Sequence, residues 1–503
     1  MKKIIALLLV LVMVLGLFAA CGNTEKPEET KGNEGGNETP DTPDEGGSEE
    51  IPTITWYTVG SGMPAHWESW TKQVNDYLDS KNVGVHLNYQ IVDWGAWGDR
   101  RSVIVQTGED WDLILCQGSD IVNDVAMNAL APIEDLMDTV PGLTDLIAQP
   151  YFDACTINGH LYGIPAYKDC SMTNYFVWHK ATIEACYPEY ENIHTFAEAY
   201  DALKASKEMF PEQDAMKLGS GGLPMIAGQK YDAAGVGDVG IGINYFNGTE
   251  FVPVWEQADV KADLEVVSKF YKEGLINSDA AILDTVEGIY TVSMAQGWPD
   301  AANTSWKREG EEVVVSQYEK TVVSTETVRG SVTAFNANSK NVAAALKFVE
   351  FVNTDTYMRD LLWYGQEGLD WNYTEENGVK KIQRVEGHGW TAAAYTQGTF
   401  FISTPEVGSV GFIEVKALNE SATPSPILGF CLDPTPIADD LAACVAIYAE
   451  YRPILMTGTA DPAETIETML AAMRDAGLDG IIAGAAWKLT GIVNGIDYTT
   501  FNP

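Results

Sequence analysis

Between Thr53 and Cys116 the chain switches repeatedly between two hydrophobic periods, and this alternation restricts its fold more than any other feature. Thr53-Ile-Thr-Trp-Tyr57 is rich in β-forming residues and stops at the turn Gly60-Ser-Gly-Met-Pro64. Trp67, Trp70, Val74, Tyr77 and Leu78 then recur at helical spacing. Residues 85–92 alternate as a second strand, a short helix is expected from Trp97 to Gln106, and Asp112-Leu-Ile-Leu-Cys116 reads as a buried third strand. A β-α-β-α-β order opens a parallel sheet with right-handed crossovers, so the expected class is α/β. Ligands of such sheets gather beyond the carboxyl ends of the strands. That rule makes Gly60–Met63, Asp93–Trp97 and Gln117–Asp120 the candidate binding loops.

Further along, helices come with clear punctuation. Thr195-Phe-Ala-Glu198 has the spacing of a capping box and predicts a helix toward Met209. A second helix is expected from Asp259 to Glu273, stopping at Gly274. Val313-Val-Val315 and Ser331-Val-Thr-Ala-Phe335 read as strands, followed by a helix from Asn341 to Val352. Leu441, Val445, Tyr448 and Leu455 are spaced to share a helical face, and Asp461-Pro462 predicts a capped helix ending at Gly477.

The first residues are of another kind. Lys2-Lys3, an apolar run from Ile4 to Val14, and Leu17-Phe-Ala-Ala-Cys21 have the layout of an export signal too short to span a bilayer. The small residues before Cys21 resemble a lipobox, which implies diacylation of that thiol, a palmitate-type anchor and an extracytoplasmic address. Two acyl chains anchor stably where one is marginal. Residues 22–50 contain no aliphatic or aromatic side chain, so they are expected to form a solvated acidic tether reaching roughly 30 Å. About 450 residues remain, too many for one core and natural for two lobes.

Acids outnumber bases 72 to 31, giving a net charge of −41. That balance argues against nucleic acid, against docking on anionic lipid and against a strongly anionic ligand. Cys116, Cys155, Cys170, Cys186, Cys431 and Cys444 form no C-x-x-C pair and are expected to be mostly buried free thiols. The histidines at 66, 86, 160, 179, 194 and 388 are scattered, so no metal site or cofactor is expected. Nucleophile-elbow and Walker motifs are absent from the sequence.

Several segments resemble the extracellular solute-binding protein family 1, the lipoprotein receptors of sugar-importing ABC transporters. Asn158-Gly-His-Leu-Tyr-Gly-Ile-Pro165 is similar to that family's crossover between lobes, and Asn338-Ser-Lys-Asn through Phe348 to its helix entry. Leu362-Trp-Tyr-Gly-Gln-Glu-Gly368 resembles the Y-G-x-E-G of a LipO-like subgroup, and Phe430 to Lys488 that subgroup's C-terminal DUF3502 region. Gln366 and Trp371-Asn372 depart from the subgroup's pattern. The resemblance implies a two-lobed, type II periplasmic-binding-protein-like fold closing on ligand about hinge strands. Lobe 1 is then expected at 53–164 plus 286–330, and lobe 2 at 165–285 plus 331–503 with a DUF3502-like part at 427–490. It further implies a monomeric carrier that is no enzyme and delivers a neutral carbohydrate to ABC permease subunits.

A sugar pocket needs carboxylates and amides for hydroxyls, and flat rings for the C–H faces. Of 14 tryptophans, Trp94, Trp97, Trp298, Trp371 and Trp390 stand next to glycines or in loops rather than at core spacing. These five are the candidate plates, with Asp120 and Glu367 as candidate carboxylates and Tyr167 as a contribution from lobe 2. Trp67 and Trp70 lie on a helical stripe and are expected in the core. Competing functions are a surface glycoside hydrolase, for which paired carboxylates beside aromatics would also serve, and a lipoprotein adhesin or sensor of the same shape.

Overall fold

Among the described residues the two largest sheets each have their own apolar core, seen in a computed structural model that describes residues 51–485 apart from 238, 304, 431, 433 and 434. The expected signal segment, Cys21, the tether and Cys431 lie outside the described residues. Strands β1 (Thr53–Gly60), β2 (His86–Asp93) and β3 (Leu113–Cys116) alternate with helices α1 (Trp67–Ser80) and α2 (Trp97–Thr107), and α3 (Asp120–Ala126) follows. Then come β4 (Gly163–Pro165), β5 (Met172–His179), α4 (Phe196–Met209) and α5 (Ala258–Lys272). Strands β6 (Val292–Gln296), β7 (Val313–Val323) and β8 (Val332–Phe335) precede α6 (Val342–Thr354) and α7 (Thr356–Tyr364). Helices α8 (Ala438–Met456) and α9 (Pro462–Asp475) complete the set used below.

The first sheet runs β2-β1-β3-β8-β4. β1 is parallel to both β2 and β3, as its alternation with helices predicts, while β8 is antiparallel to β3 and β4. Every residue of β3 is buried, which is why it reads as a continuous apolar run rather than an alternating one. Trp70, Val74 and Leu78 of α1 pack on this sheet, and the Trp70 indole donates to the Leu361 carbonyl at 3.0 Å. Trp67 is 39% exposed, so the buried stripe is narrower than the spacing suggests.

The second sheet runs β6-β5-β7, with residues 423–424 parallel to the end of β7. α4 starts at the expected capping box, Thr195 Oγ1 accepting from Glu198 N and the Glu198 carboxylate accepting from Thr195 N. Such a cap contributes about 1 kcal/mol. Asp461 caps α9 through the N–H groups of Ala463 and Glu464. On α8 the buried face is Cys444, Tyr448, Leu455 and Met456, whereas Val445 is exposed.

Strand pairing divides the chain differently from the expected boundaries. Residues 286–330 were expected in lobe 1, yet β6 and β7 pair with β5 in the second sheet. Residues 331–503 were expected in lobe 2, yet β8 completes the first sheet and the chain stays on the first core through residue 382. Only from residue 427 does it return to the second core. Periodicity identifies a strand but not its neighbours, and this is where the expectation failed. The lobes are joined around 166–171, 324–331 and 419–427. Ala166 N bonds Ser331 O at 2.9 Å, and Ser425 N bonds Val323 O at 2.8 Å. Asn419 accepts from Ser171 N and Oγ and donates to Lys168 O. Cys116, Cys155, Cys170, Cys186 and Cys444 are free thiols. None of the described helices is long and apolar enough to cross a membrane.

Candidate functional site

At the carboxyl end of β1 the segment 391–395 crosses the strand. Ser61 N bonds Thr391 O at 2.9 Å and Ala393 N bonds Val59 O at 3.1 Å. A side chain at Gly60 would put its Cβ 2.2 Å from Thr391 O, so this crossing requires glycine. Arg359, fully buried, holds the same segment from beneath. It donates to Thr399 O, Gln397 Oε1 and Ala394 O, each at 2.7 Å, and burial pulls its pKa down to about 10.

Those contacts deliver Tyr395 to the rim, where its ring stacks on Trp94 with centroids 6.3 Å apart and planes at 17°. Trp94 leaves the end of β2 through a turn that Asp93 fixes by accepting from Gly95 N, and the indole is 50% exposed. The Gln117 amide donates to Tyr395 Oη at 3.3 Å and to Gly330 O at 3.1 Å. Lys168 Nζ lies 5.7 Å from the Tyr395 centroid and pairs with Asp169 at 2.6 Å. An exposed aromatic plate thus stands beside an amide, an ammonium and a carboxylate.

From this rim a cavity of about 520 Å³ extends between hinge and second lobe. Lys168, Asp169 and Gly330 line one side, and Asn174, Asp232, Tyr245, Trp255 and Gln296 the other. A further cavity of about 400 Å³ adjoins it through Glu326 and joins Gln117–Ser119 to Ala234 and Gly235. Trp255 stacks on Tyr448 at 5.3 Å, and a side chain at Gly240 would put its Cβ 1.7 Å from the Trp255 nitrogen. Asn174 lines the cavity and donates to Oε1 of the fully buried Gln229 behind it. Burial pushes the Tyr245 phenol and the Asp232 carboxyl up from their usual ranges. Among the described residues no group of three or more His, Cys, Asp and Glu is placed to hold a metal ion.

The expected site residues scatter. Trp94 stands at the rim with an open face. Asp120 is on the expected loop, but its Oδ2 accepts from Gln117 N at 3.0 Å and lies 3.3 Å from Arg101 Nε, so it shapes the loop. Trp97 is 8% exposed in the first core, and Trp371 is fully buried, donating to Gly365 O at 2.9 Å. Neither presents a face to a ligand. Trp390 packs on Trp70 with centroids 4.6 Å apart and donates to Leu362 O. Glu367 receives the Tyr357 hydroxyl at 2.5 Å, and Gln366 receives Ser69 of α1. The departures at Gln366 and Trp371 therefore fall on packing contacts of the first lobe, away from both cavities. Tyr167, expected from lobe 2, is buried in the first core between Tyr151 and Phe401. Trp298 meets Phe412 edge-on at 6.1 Å, beside the cavity residue Gln296 but not lining the cavity. Cys21 lies outside the described residues.

Sequence reasoning missed Tyr395, Lys168, Asp232, Tyr245, Trp255 and Gln296. Tyr395 sits in a stretch without local periodicity, and its place depends on Arg359. Asp232 and Gly240 carried a signal, the glycine-dense run 235–240, where Gly235, Gly237 and Gly240 all have positive φ.

The sequence family described as bacterial extracellular solute-binding protein matches residues 72–368, and the domain of unknown function DUF3502 matches residues 426–486. A carbohydrate ABC transporter substrate-binding protein of Streptococcus pneumoniae serotype 4 (strain ATCC BAA-334 / TIGR4) is 23% identical over 492 residues, 93% of each chain. The solved N-glycan transport solute binding protein NgtS of S. pneumoniae has the same fold at a TM-score of 0.76 and 21% identity, over 86% of this chain and 97% of that one. An HMO-binding solute binding protein of Bifidobacterium longum infantis superposes at 0.55 and 15% identity, over 87% and 98%. The resemblance noted in the sequence, including its C-terminal region, is borne out. The chain belongs to the bacterial extracellular solute-binding proteins, carriers that bind a solute and do not transform it.

Proposed function

We propose that this protein captures a neutral oligosaccharide between its lobes and presents it to the permease of an ABC importer, held to the outer face of the membrane by acyl chains on Cys21. The observation that carries the reading is the half-exposed Trp94 stacked on Tyr395 beside the Gln117 amide, next to Lys168, which lines the cavity between hinge and second lobe. A ring plate suits the C–H face of a sugar, and the flanking amides and carboxylates suit its hydroxyls. Acids in the cavity and a net charge of −41 favour an uncharged guest. Relatives named for carbohydrate and N-glycan transport support the same class. Closure about the hinge segments would bring the second-lobe wall onto a sugar seated on the plate.

A thermal-shift screen across neutral oligosaccharides tests this. Ligand at 100 times its Kd adds about 2.7 kcal/mol to stability. No shift and no retention with any of them would remove the proposal. For the anchor, Cys21→Ala should release the protein from the cell and abolish palmitate labelling, and continued labelling would exclude Cys21.

A further inference from the structure

Asp232 lines the 520 Å³ cavity and is only 3% exposed. Its Oδ1 accepts from Ala234 N at 2.9 Å, which ties down a left-handed turn with Ala234 at φ 54°. Among the described residues no group hydrogen-bonds its Oδ2. A side-chain hydrogen bond from Ser425 offsets part of the burial effect on the carboxyl, but it does not reach Oδ2 in good geometry. Among the described residues no Lys, Arg or His pairs with Asp232. Lys230, two residues earlier, is turned to Asp263 at 2.7 Å and Glu319 at 3.8 Å, and Lys168 across the cavity is held by Asp169. The other ionisable residues that line the cavity, Tyr231, Tyr245, Glu326 and Tyr448, add no positive charge. A buried carboxylate oxygen without a donor is costly, and chains retain one where a partner arrives from outside.

We propose that Asp232 is the ligand-recognising carboxylate of the second lobe: its Oδ2 takes a hydrogen bond from a non-anionic donor on the captured solute, a sugar hydroxyl or an amide N–H, and rejects acceptor-only groups such as a uronate carboxylate. This rests on the oligosaccharide reading above and adds the group that discriminates within that class. The left-handed turn at Ala234 and Gly235 fits the role, because these two residues line a cavity together with the first-lobe loop at Gln117–Ser119.

Calorimetry on the full chain tests it, with Man5GlcNAc, chitotriose, cellotriose, kestose and an alginate trisaccharide as probes. Asp232→Asn keeps an acceptor for Ala234 N but turns Oδ2 into a donor. Affinity for whichever neutral probe the wild type binds should fall about 10- to 100-fold, with the Tm of the free protein unchanged or raised. Loss confined to chitotriose assigns the amide N–H, and loss with cellotriose or kestose assigns a hydroxyl. Should Asp232→Asn not fold, Asp232→Ser, which also offers an acceptor for the turn, carries the same expectation. Undiminished affinity in the folded variant overturns the Asp232 assignment alone, as does wild-type binding of the alginate trisaccharide as tight as that of the neutral probes. A wild type that retains none of the neutral probes overturns the oligosaccharide reading and this one with it.

Discussion

Trp94 lies nearly parallel to Tyr395, at 17° between planes, although 301 positions separate them in the chain. Trp94 hangs from the end of β2, and Tyr395 arrives on a segment that crosses the end of β1 only because residue 60 has no side chain. One face of the indole is open, so its removal should cost binding rather than folding. Trp94→Ala is expected to weaken oligosaccharide affinity by about tenfold, in line with about 0.5–1.5 kcal/mol from ring stacking plus lost contact area, and to leave Tm within about 1 °C. Titration calorimetry and a melting curve on the same preparation check both halves.

Arg359 is the buried support of that plate. Among the described residues no carboxylate forms an ion pair with it; its three hydrogen bonds go to the 394–399 segment, and its guanidinium lies 4.7 Å from the Trp363 ring centroid. Arg359→Met removes the donors and leaves buried carbonyls unpaired, at about 1–3 kcal/mol each. A stability loss of roughly 3 kcal/mol or more is expected, together with weaker ligand binding because Tyr395 loses its seat. Arg359→Lys should recover little, since an ammonium cannot reproduce the planar fork. Denaturant melts of the three proteins decide this.

Local patterns were enough to reveal the α/β class, the β1–β3 core, and the capped helices α4 and α9. They are short-range features, and Thr195-Phe-Ala-Glu198 shows why: both partners of the cap lie within three residues. What was not legible depends on distant partners. β7 looks the same in sequence whether it pairs with β5 or with β3, so residues 286–330 and 331–382 were each expected in the wrong lobe. Trp371 follows a glycine-rich turn exactly as a pocket residue could, but Gly365 O and the rings of Tyr357, Tyr364 and Tyr373 enclose it. Flanking glycines signal close backbone approach and not what approaches.

That distinction can be measured. Trp371→Ala and Trp390→Ala should behave as core deletions, with Trp371→Ala costing about 3–5 kcal/mol and Trp390→Ala somewhat less because it is only half-buried. Affinity should stay near the wild-type value at temperatures where the variants remain folded. A tenfold affinity loss without loss of stability in either would return that tryptophan to the ligand site.

Glu198 gives a stability effect with a defined pH sense. Its carboxylate accepts from His194 N at 2.8 Å and Thr195 N at 3.0 Å, and these bonds hold its pKa below the ordinary value of 4.5. A depressed carboxyl pKa adds stability above the unfolded-state value, and that contribution disappears as pH falls through the folded-state value. Glu198→Gln should therefore be less stable than wild type near pH 7, with the gap closing below about pH 4. Thr195→Ala should cost about 1 kcal/mol more uniformly across pH, because a hydroxyl does not titrate. Urea melts at pH 7 and pH 3.5 separate the two halves of the cap.

Asn419 ties two of the three lobe connections together. Its Oδ1 accepts from Ser171 N at 3.0 Å and Ser171 Oγ at 2.9 Å, and its amide donates to Lys168 O. The first connection is thereby fastened to the helix at Ile413–Ser421 that leads into the third. All three bonds are buried, so no solvent replaces them when the side chain is removed. Asn419→Ala should lower stability by about 2–4 kcal/mol, less than the sum of three separate bonds because Ser171 Oγ can rotate to another acceptor. Asn419→Asp keeps the acceptor and loses the donor, so its cost should be smaller at high pH only if the added charge finds compensation. The connection leads directly to Lys168, beneath the Tyr395 ring, and loosening it should broaden the range of lobe separations as well. Solution scattering of Asn419→Ala should give a larger radius of gyration without ligand and a wild-type value with saturating oligosaccharide, whereas an unchanged radius would confine Asn419 to a stabilising role.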